Sequence, residues 1–359
     1  MKALRLYGPM DLRLDDIKEE SCGPGQVRVK TEYCGLCGSD RPRLLNGEVP
    51  FFPNTLGHEF SATIIETGEG VKDLKTDDLV AVVPLLVCHN CDCCRTGHYG
   101  QCRNKKFIGL RVENMGGFAE YNVLPRVNVL KVPKGTTKTE AAFIEPVSVA
   151  LHSIFRSGLK PGDDVAVIGS GTIGQLIIQC LRIMGAHHIH IFDIEDKQLE
   201  TAHVFGADYC YNITKEGYFD DYLQHTNGLC CPIVFEAVGL QDAIMLALKL
   251  CRVNGNIALV GYLDKSITFN AVQMRFVLEN ELNIFGVWQS YDLDFPGNAF
   301  RLGLSYLGEK KIKTDKMIYK TVDVSGLYDV LKDWKEQGKV NGKIMVDFST
   351  IGNFCQKIF

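Results

Sequence analysis

No apolar run in this 359-residue chain is long enough to span a bilayer. The start of the chain also lacks the pattern of a secretory leader: Met1-Lys2-Ala3-Leu4-Arg5-Leu6-Tyr7 is a short strand pattern that stops at Gly8-Pro9. Both absences favour a cytoplasmic protein. An excess of one charge is missing too. With 39 Lys and Arg against 43 Asp and Glu, the net charge is −4, which gives no general attraction to nucleic acid or to an anionic membrane. There are no internal repeats and no low-complexity segment, so the chain reads as ordinary globular domains. At this length two domains are expected, and a hydrophobic fraction of 46% is ordinary for them.

Cysteine is abundant, at 14 residues. A disulfide framework is not expected in a reducing compartment. Cys22, Cys180, Cys210, Cys230, Cys231, Cys251 and Cys355 stand singly or doubly in mixed surroundings and read as small buried hydrophobes. Cys88, Cys91, Cys94 and Cys102 differ, standing as Cys-x2-Cys-x2-Cys-x7-Cys. Four thiolates so close together suit a closed tetrahedral zinc site that ties down a polar loop. Such a site has no open position and is structural. Cys93 reads as a bystander. Reduced free thiols, or a zinc ribbon for nucleic acid, are the alternatives. The second is disfavoured by a loop with few cations, Arg95 and Arg103.

To about residue 150 the chain is rich in short strands and turns. Gln26 to Tyr33 alternates with period two, and Ala62 to Gly68 and Asp78 to Pro84 are further strands. Then the pattern changes. Pro146 to Ser157 is an apolar helix with its Pro in the first turn. From Asp164 strands and helices alternate: strand Val165–Ile168, helix Ile173–Met184, strand Ile189–Phe192, helix Lys197–Phe205, and later strands near residues 233, 257 and 284, with helix Asp242–Leu250 among them. This alternation predicts a parallel sheet covered on both faces. The tail adds strand Lys320–Val324, an amphipathic helix over Gly326–Glu336, and strand Lys343–Asp347. It is too short for a core of its own and is expected to complete the first domain. The expected division is 1–152 with 290–359, and 153–289.

Strand Val165–Ile168 runs into Gly169-Ser170-Gly171-Thr172-Ile173-Gly174, which opens a helix. In that context the glycines read as a dinucleotide fingerprint. Gly169 permits a tight turn, Gly171 a close approach of backbone to pyrophosphate, and Gly174 close helix–strand packing; the helix N-terminus receives the phosphates. Asp193 ends the next strand, where an acid bonds the ribose hydroxyls and repels a 2′-phosphate. NAD is therefore expected rather than NADP.

Gly57-His58-Glu59 sets an imidazole beside a carboxylate, and Cys37 stands upstream. Cys, His and Glu all ligate first-row metals, and three protein ligands leave a position open. By itself such a pair is more often a surface dyad. The wider set, with Gly35-Leu36-Cys37-Gly38-Ser39-Asp40, the four-cysteine loop, Gly116-Gly117-Phe118-Ala119-Glu120-Tyr121 and Glu145-Pro146, resembles the zinc-containing medium-chain dehydrogenase/reductase family along essentially the whole chain, and within it the polyol dehydrogenases.

The resemblance implies an α/β protein: a GroES-like, β-rich catalytic domain joined to a Rossmann domain with a doubly wound parallel sheet. It also implies a homo-oligomer (dimer or tetramer) and two zinc ions per chain, one catalytic and one structural. The catalytic zinc would be held by Cys37, His58 and a carboxylate, Glu59 or Glu145, with one bound at a time or one bound through water. One thiolate and one carboxylate make Zn²⁺ formally neutral, whereas two carboxylates would leave the site anionic. Gly57 would leave room where the strand nears the metal. Ser39 would accept the proton of a secondary alcohol on a polyol or polyol phosphate, with Arg41, Arg43 and Arg111 available to a phosphate. Lys343 would lie near the cofactor pyrophosphate. Many relatives carry a His two residues after the Asp of the cysteine motif. Here Pro42 stands there, so a relay through that His does not transfer. Rival readings are a dehydrogenase of an unphosphorylated polyol or of threonine, or a non-catalytic zinc-stabilised NAD-binding sensor.

Overall fold

The alternation seen in Gln26–Gly35 becomes the central strand of the first half of the protein, with Val27, Val29 and Thr31 facing inward. The computed structural model describes every residue except 264, 289, 292, 293, 339 and 354–359, so Gln289 and Cys355 lie outside the described residues. The chain divides into two compact units. The first comprises Met1–Glu145, Ser290–Lys310 and Thr314–Phe359; the second comprises Pro146–Gln289 and Lys311–Lys313. The expected junction at 152/153 thus lies seven residues beyond the observed one.

Unit 1 begins with β1 (Lys2–Gly8), β2 (Asp11–Asp16), β3 (Gln26–Gly35), β4 (Asn54–Thr55), β5 (Glu59–Thr67), β6 (Leu79–Val82), β7 (Leu85–Leu86), β8 (Lys106–Phe107), β9 (Tyr121–Pro125) and β10 (Val129–Lys131). Its helices α1 (Asp40–Asn46), α2 (Asp92–Arg95) and α3 (Lys138–Ala142) are short, as expected. α4 (Ile144–Ser157) leads into unit 2. There the strands are β11 (Val165–Ile168), β12 (Ile189–Asp193), β13 (Tyr209–Asn212), β14 (Cys231–Glu236), β15 (Cys251–Leu259) and β16 (Asn283–Gly286). The helices are α5 (Thr172–Ile183), α6 (Asp196–Val204), α7 (Tyr218–His225), α8 (Gln241–Leu250) and α9 (Ala271–Glu279). The tail supplies α10 (Asn298–Gly308), β17 (Ile318–Asp323), α11 (Leu327–Gln337) and β18 (Lys343–Asp347) to unit 1.

The large sheet of unit 1 has the order β10-β6-β5-β3-β18-β17, with β9 also pairing β3. The tail strand β18 runs antiparallel to β3, Met345 opposite Gly35. It is therefore built into the middle of this sheet rather than laid on it. Leu327, Val330, Leu331 and Trp334 of α11 are all buried in the same core as Leu4, Val27, Phe60 and Phe118. Burial of such side chains contributes about 1.5–3 kcal/mol each, which fixes the tail to the domain.

Unit 2 is a six-stranded parallel sheet of order β13-β12-β11-β14-β15-β16. β11 is buried at all four residues, as a strand covered on both faces must be. Of the cysteines read as buried, Cys180, Cys231 and Cys251 are; Cys22 and Cys230 are half-buried, and Cys210 is exposed. Cys210 lies on β13, the edge strand of the sheet, and its thiol donates to the Leu199 carbonyl of α6.

Candidate metal centres and nucleotide site

The sheet order of unit 1 explains why residues distant in sequence meet. β5, β3 and β18 are neighbours, and both outer strands run against β3. The end of β3 therefore lies beside the starts of β5 and β18. From these three ends come Cys37, just past β3; His58 and Glu59, at the start of β5; and Lys343, at the start of β18. Cys37, His58 and Glu59 each offer a ligand atom, all within 4.8 Å of one another.

Several groups fix this geometry. Asp40, fully buried, accepts from the Cys37 amide at 3.1 Å and from the Arg43 guanidinium at 2.9 Å, and its other contact is His58 Nδ1 at 3.6 Å. Phe107 packs against the imidazole at 5.3 Å. Ser39 is the residue before α1, two positions after Cys37. The position of Asp40 as a bridge between both ligands was missed in the sequence reading. Its spacing, three residues after Cys37 at the start of a helix, was the available signal.

Lys343, expected near the cofactor pyrophosphate, stands beside Glu59 of the three-ligand set. Its ammonium is buried, donating to Glu59 Oε2 at 2.6 Å and to the Leu36 carbonyl at 3.1 Å. An ammonium has three donors, and these two contacts leave one for a further partner. Gly35 makes the pair possible: a Cβ there would stand 2.6 Å from Glu59 Oε2 and 3.1 Å from Lys343 Cδ. Gly57 also has another role than expected. At φ +91 its missing Cβ would meet Cys34 Sγ at 2.8 Å and Phe118 at 2.9 Å, so the close approach is to the core.

Glu145, in the first turn of α4, falls outside the three-ligand set, yet its buried carboxyl feels the charges of all three members. Burial pushes it up to about 8; His58 opposes this, while Glu59 and Cys37 add to it. Burial likewise pushes the Cys37 thiol up to about 11. Burial pulls the Lys343 ammonium down, but Glu59 and then Cys37 more than offset it and hold it above its ordinary value.

The charge balance shows what the centre accommodates. Fully ionised, Cys37, Asp40, Glu59 and Glu145 carry four negative charges, and Arg43 and Lys343 carry two positive ones. One divalent cation cancels the remainder and lowers the affinity of thiol and carboxyl for protons. His58 Nδ1 has no hydrogen-bond partner. The donor set therefore fits zinc. With Lys343 and Arg43 present, both glutamates can be ionised without leaving the wider centre anionic once such an ion is bound.

In the four-cysteine loop the sulfurs of Cys88 and Cys94 are 4.0 Å apart, those of Cys91 and Cys102 3.9 Å, and those of Cys88 and Cys102 3.5 Å. A tetrahedron with Zn–S near 2.3 Å has edges of about 3.8 Å, so the loop is already shaped for zinc. Backbone amides point at the sulfurs: Cys91 N to Cys88 Sγ, Arg103 N to Cys91 Sγ, and Cys88 N to Cys102 Sγ. The amides of Asn90 and Cys91 draw the Cys88 thiol down to about 6. Burial instead holds Cys94 up, at about 12. Cys93 is outside this set.

In unit 2, Gly169 takes φ +91, and a Cβ on Gly174 would stand 1.8 Å from the Gly169 carbonyl oxygen. Gly171 is the N-cap of α5 and has nothing within 4 Å of its missing Cβ, leaving its backbone open to a ligand. Thr172 and Ile173 open the helix after it. Asp193 ends β12 and accepts from the amides of Ser170 (2.6 Å), Ile194 (2.7 Å) and Glu195 (3.0 Å). It therefore joins the two strand ends, a structural duty not foreseen. A carboxylate has about four acceptor positions, which leaves capacity for a ribose hydroxyl.

Residues 23–134 match the alcohol dehydrogenase GroES-like domain, and residues 172–305 match zinc-binding dehydrogenase. The galactitol 1-phosphate 5-dehydrogenase of Escherichia coli K12 is 36% identical over 295 residues, 82% of this chain and 84% of that protein. The chain belongs to the zinc-containing medium-chain dehydrogenase/reductase family. The crystal structure of the E. coli galactitol-1-phosphate dehydrogenase superposes on this medium-chain dehydrogenase with a TM-score of 0.90 at 32% identity, over 97% of this chain and 100% of that one. A zinc-binding dehydrogenase of Sinorhizobium meliloti 1021, solved with NADP, gives a TM-score of 0.84 at 25% identity over 96% and 98% of the two chains. As a member of this family the protein is an oxidoreductase with a GroES-like and a Rossmann-like domain.

Proposed function

We propose that this medium-chain dehydrogenase oxidises a secondary alcohol of a polyol phosphate resembling galactitol 1-phosphate, with NAD as the hydride acceptor. The convergence of Cys37, His58 and Glu59 at three adjoining strand ends carries this reading, because it offers three ligands and an open position. Bound there, zinc supplies a Lewis acid that makes the substrate hydroxyl more acidic, and a second zinc held by Cys88, Cys91, Cys94 and Cys102 keeps its loop in shape.

The chain's own residues do the rest. Asp40 and Phe107 orient His58. Lys343 holds Glu59 by one oxygen and sets how far that carboxylate reaches toward the metal. Ser39, beside Cys37, receives the hydroxyl proton. Gly169, Gly171, Thr172, Ile173 and Gly174 form the cradle for the cofactor pyrophosphate, and Asp193 takes the ribose hydroxyls.

Of the arginines offered to a phosphate, Arg43 is tied to Asp40 and Arg111 is exposed. Arg41 has a buried Nε without a hydrogen-bond partner, and it is the one we assign to the substrate phosphate. Initial rates with paired free and phosphorylated polyols, using NAD and NADP, test the whole reading. We expect turnover with NAD and the phosphorylated partner. Arg41→Gln should raise KM for that partner about tenfold or more, as loss of a charged hydrogen bond does, while leaving KM for the free polyol unchanged. Equal rates on both polyols, or a preference for NADP, would discard the corresponding part.

The protein is also proposed to pair with a second copy through unit 2. β16 is an open sheet edge, and α9 beside it in the chain buries none of its residues, with Val272 72% and Leu278 71% exposed. Sedimentation velocity should give a dimer or larger assembly that dissociates on V272E/L278E; a wild-type monomer refutes the pairing. Among the described residues no cysteine is disulfide-bonded, which supports a cytoplasmic, reducing location.

A further inference from the structure

A third cluster of ligand-bearing side chains lies in unit 2, at the ends of β11 and β12 opposite to those that carry Gly169 and Asp193. Asp164 immediately precedes β11, and His187 and His188 immediately precede β12. The two approaches are locked together by backbone bonds, His187 N to the Asp163 carbonyl and Val165 N to the His188 carbonyl, each 2.9 Å. Asp164 Oδ1 also accepts the His188 amide at 3.0 Å. Held this way, both imidazoles turn the same atom toward the same oxygen: His187 Nδ1 lies 3.0 Å and His188 Nδ1 3.1 Å from Asp164 Oδ1. The ring centroids are 3.7 Å apart.

We propose that Asp164, His187 and His188 form a third metal site, for a divalent first-row transition ion such as Zn²⁺ or Ni²⁺. Ligand atoms about 2.0–2.2 Å from such an ion, at angles between octahedral and tetrahedral, stand about 3–3.5 Å from each other, and the Asp–His separations match. Two imidazole nitrogens and one carboxylate oxygen select these borderline ions over Ca²⁺ or Mg²⁺. The site is open: His187 is more than half exposed and Asp164 and His188 are each about one-third exposed, so water completes the coordination. The nearby cation, Arg182, is paired with Asp208 and donates to the carbonyls of Gly206, Ala186 and His187. The ring of His188 packs on Tyr209 at 5.5 Å, which fixes its plane. A bound ion clamps the strand ends of β11 and β12 without touching the residues assigned to chemistry, and this assignment is independent of the proposed substrate.

The test is equilibrium dialysis of zinc-replete full-length protein against buffered Zn²⁺, with metal counted by mass spectrometry. Wild type should take up one more ion per chain than the double variant H187N/H188N, and D164N should bind that ion at least about tenfold more weakly. Ni²⁺ in place of Zn²⁺ should show the same difference, and added metal should raise the melting temperature of wild type but not of the double variant. Dehydrogenase rates stay equal in all forms, which also certifies that the variants are folded. Equal metal uptake by wild type and H187N/H188N, or full uptake by D164N, overturns the assignment.

Discussion

Cys37→Ser should lower kcat/KM for polyol oxidation by about three powers of ten or more. A Lewis acid at the reacting oxygen is worth several kcal/mol of transition-state stabilisation, and about 4 kcal/mol corresponds to that factor. Ser is a much weaker ligand than a thiolate for zinc, so metal content should fall by one ion per chain. The four-cysteine loop stands on other residues and should keep its ion. Metal analysis together with steady-state rates therefore separates two explanations. Loss of activity with one ion lost supports Cys37 as a ligand of the catalytic metal. Loss of both ions would indicate a folding defect, and an unchanged rate would end the zinc mechanism. Because Cys37 is held by the Asp40 carboxylate through its backbone amide, the substitution leaves the turn itself in place.

Lys343→Met should have its largest effect on the metal-free protein. The ammonium and the Glu59 carboxylate are 4% and 2% exposed, so removal of the cation strands a buried charge. Breaking such a pair costs about 3–5 kcal/mol. With zinc bound, the metal takes over as the counter-charge and the loss should be much smaller. Denaturant titrations of chelated and zinc-loaded forms measure both values. In the double variant K343M/E59Q most of the loss in the chelated protein should be recovered, since no carboxylate is then left unpaired. If K343M is equally destabilised in both forms, Lys343 is a packing residue and its partnership with the metal centre is refuted.

Much of this arrangement could be read from the sequence because the chemistry is local. The strand–glycine–helix passage from Val165 to Gly174 lies in one short stretch, and so does the cysteine loop; in both, spacing alone brings the groups together. The periodicity of Leu327, Val330, Leu331 and Trp334 likewise predicts the buried face of α11. The pairing of Lys343 with Glu59 is not legible because the two are 284 residues apart, and no local pattern reports that β18 inserts beside β3. Elements such as β13, α7 and α9 were not drawn from the sequence. β13 is a four-residue edge strand of mixed burial, and α9 presents no buried face, so neither carries a clean apolar period. The paired histidines beside Asp164 were passed over because the carboxylate and the imidazoles precede different strands.

The placing of Lys343 on β18 also bears on how the protein is made. A ribosome delivers Glu59 long before residue 343 emerges, so for most of synthesis the carboxylate has no ammonium to pair with and no finished sheet to enter. Pairings over such separations form late and slowly. The proposed metal centre thus gains its Lys343 partner late, even though Cys37, His58 and Glu59 lie in the first sixth of the chain. A nascent or truncated chain that ends before β18 would hold an open sheet with an uncompensated acid at its middle, which is a substrate for quality control rather than a smaller enzyme.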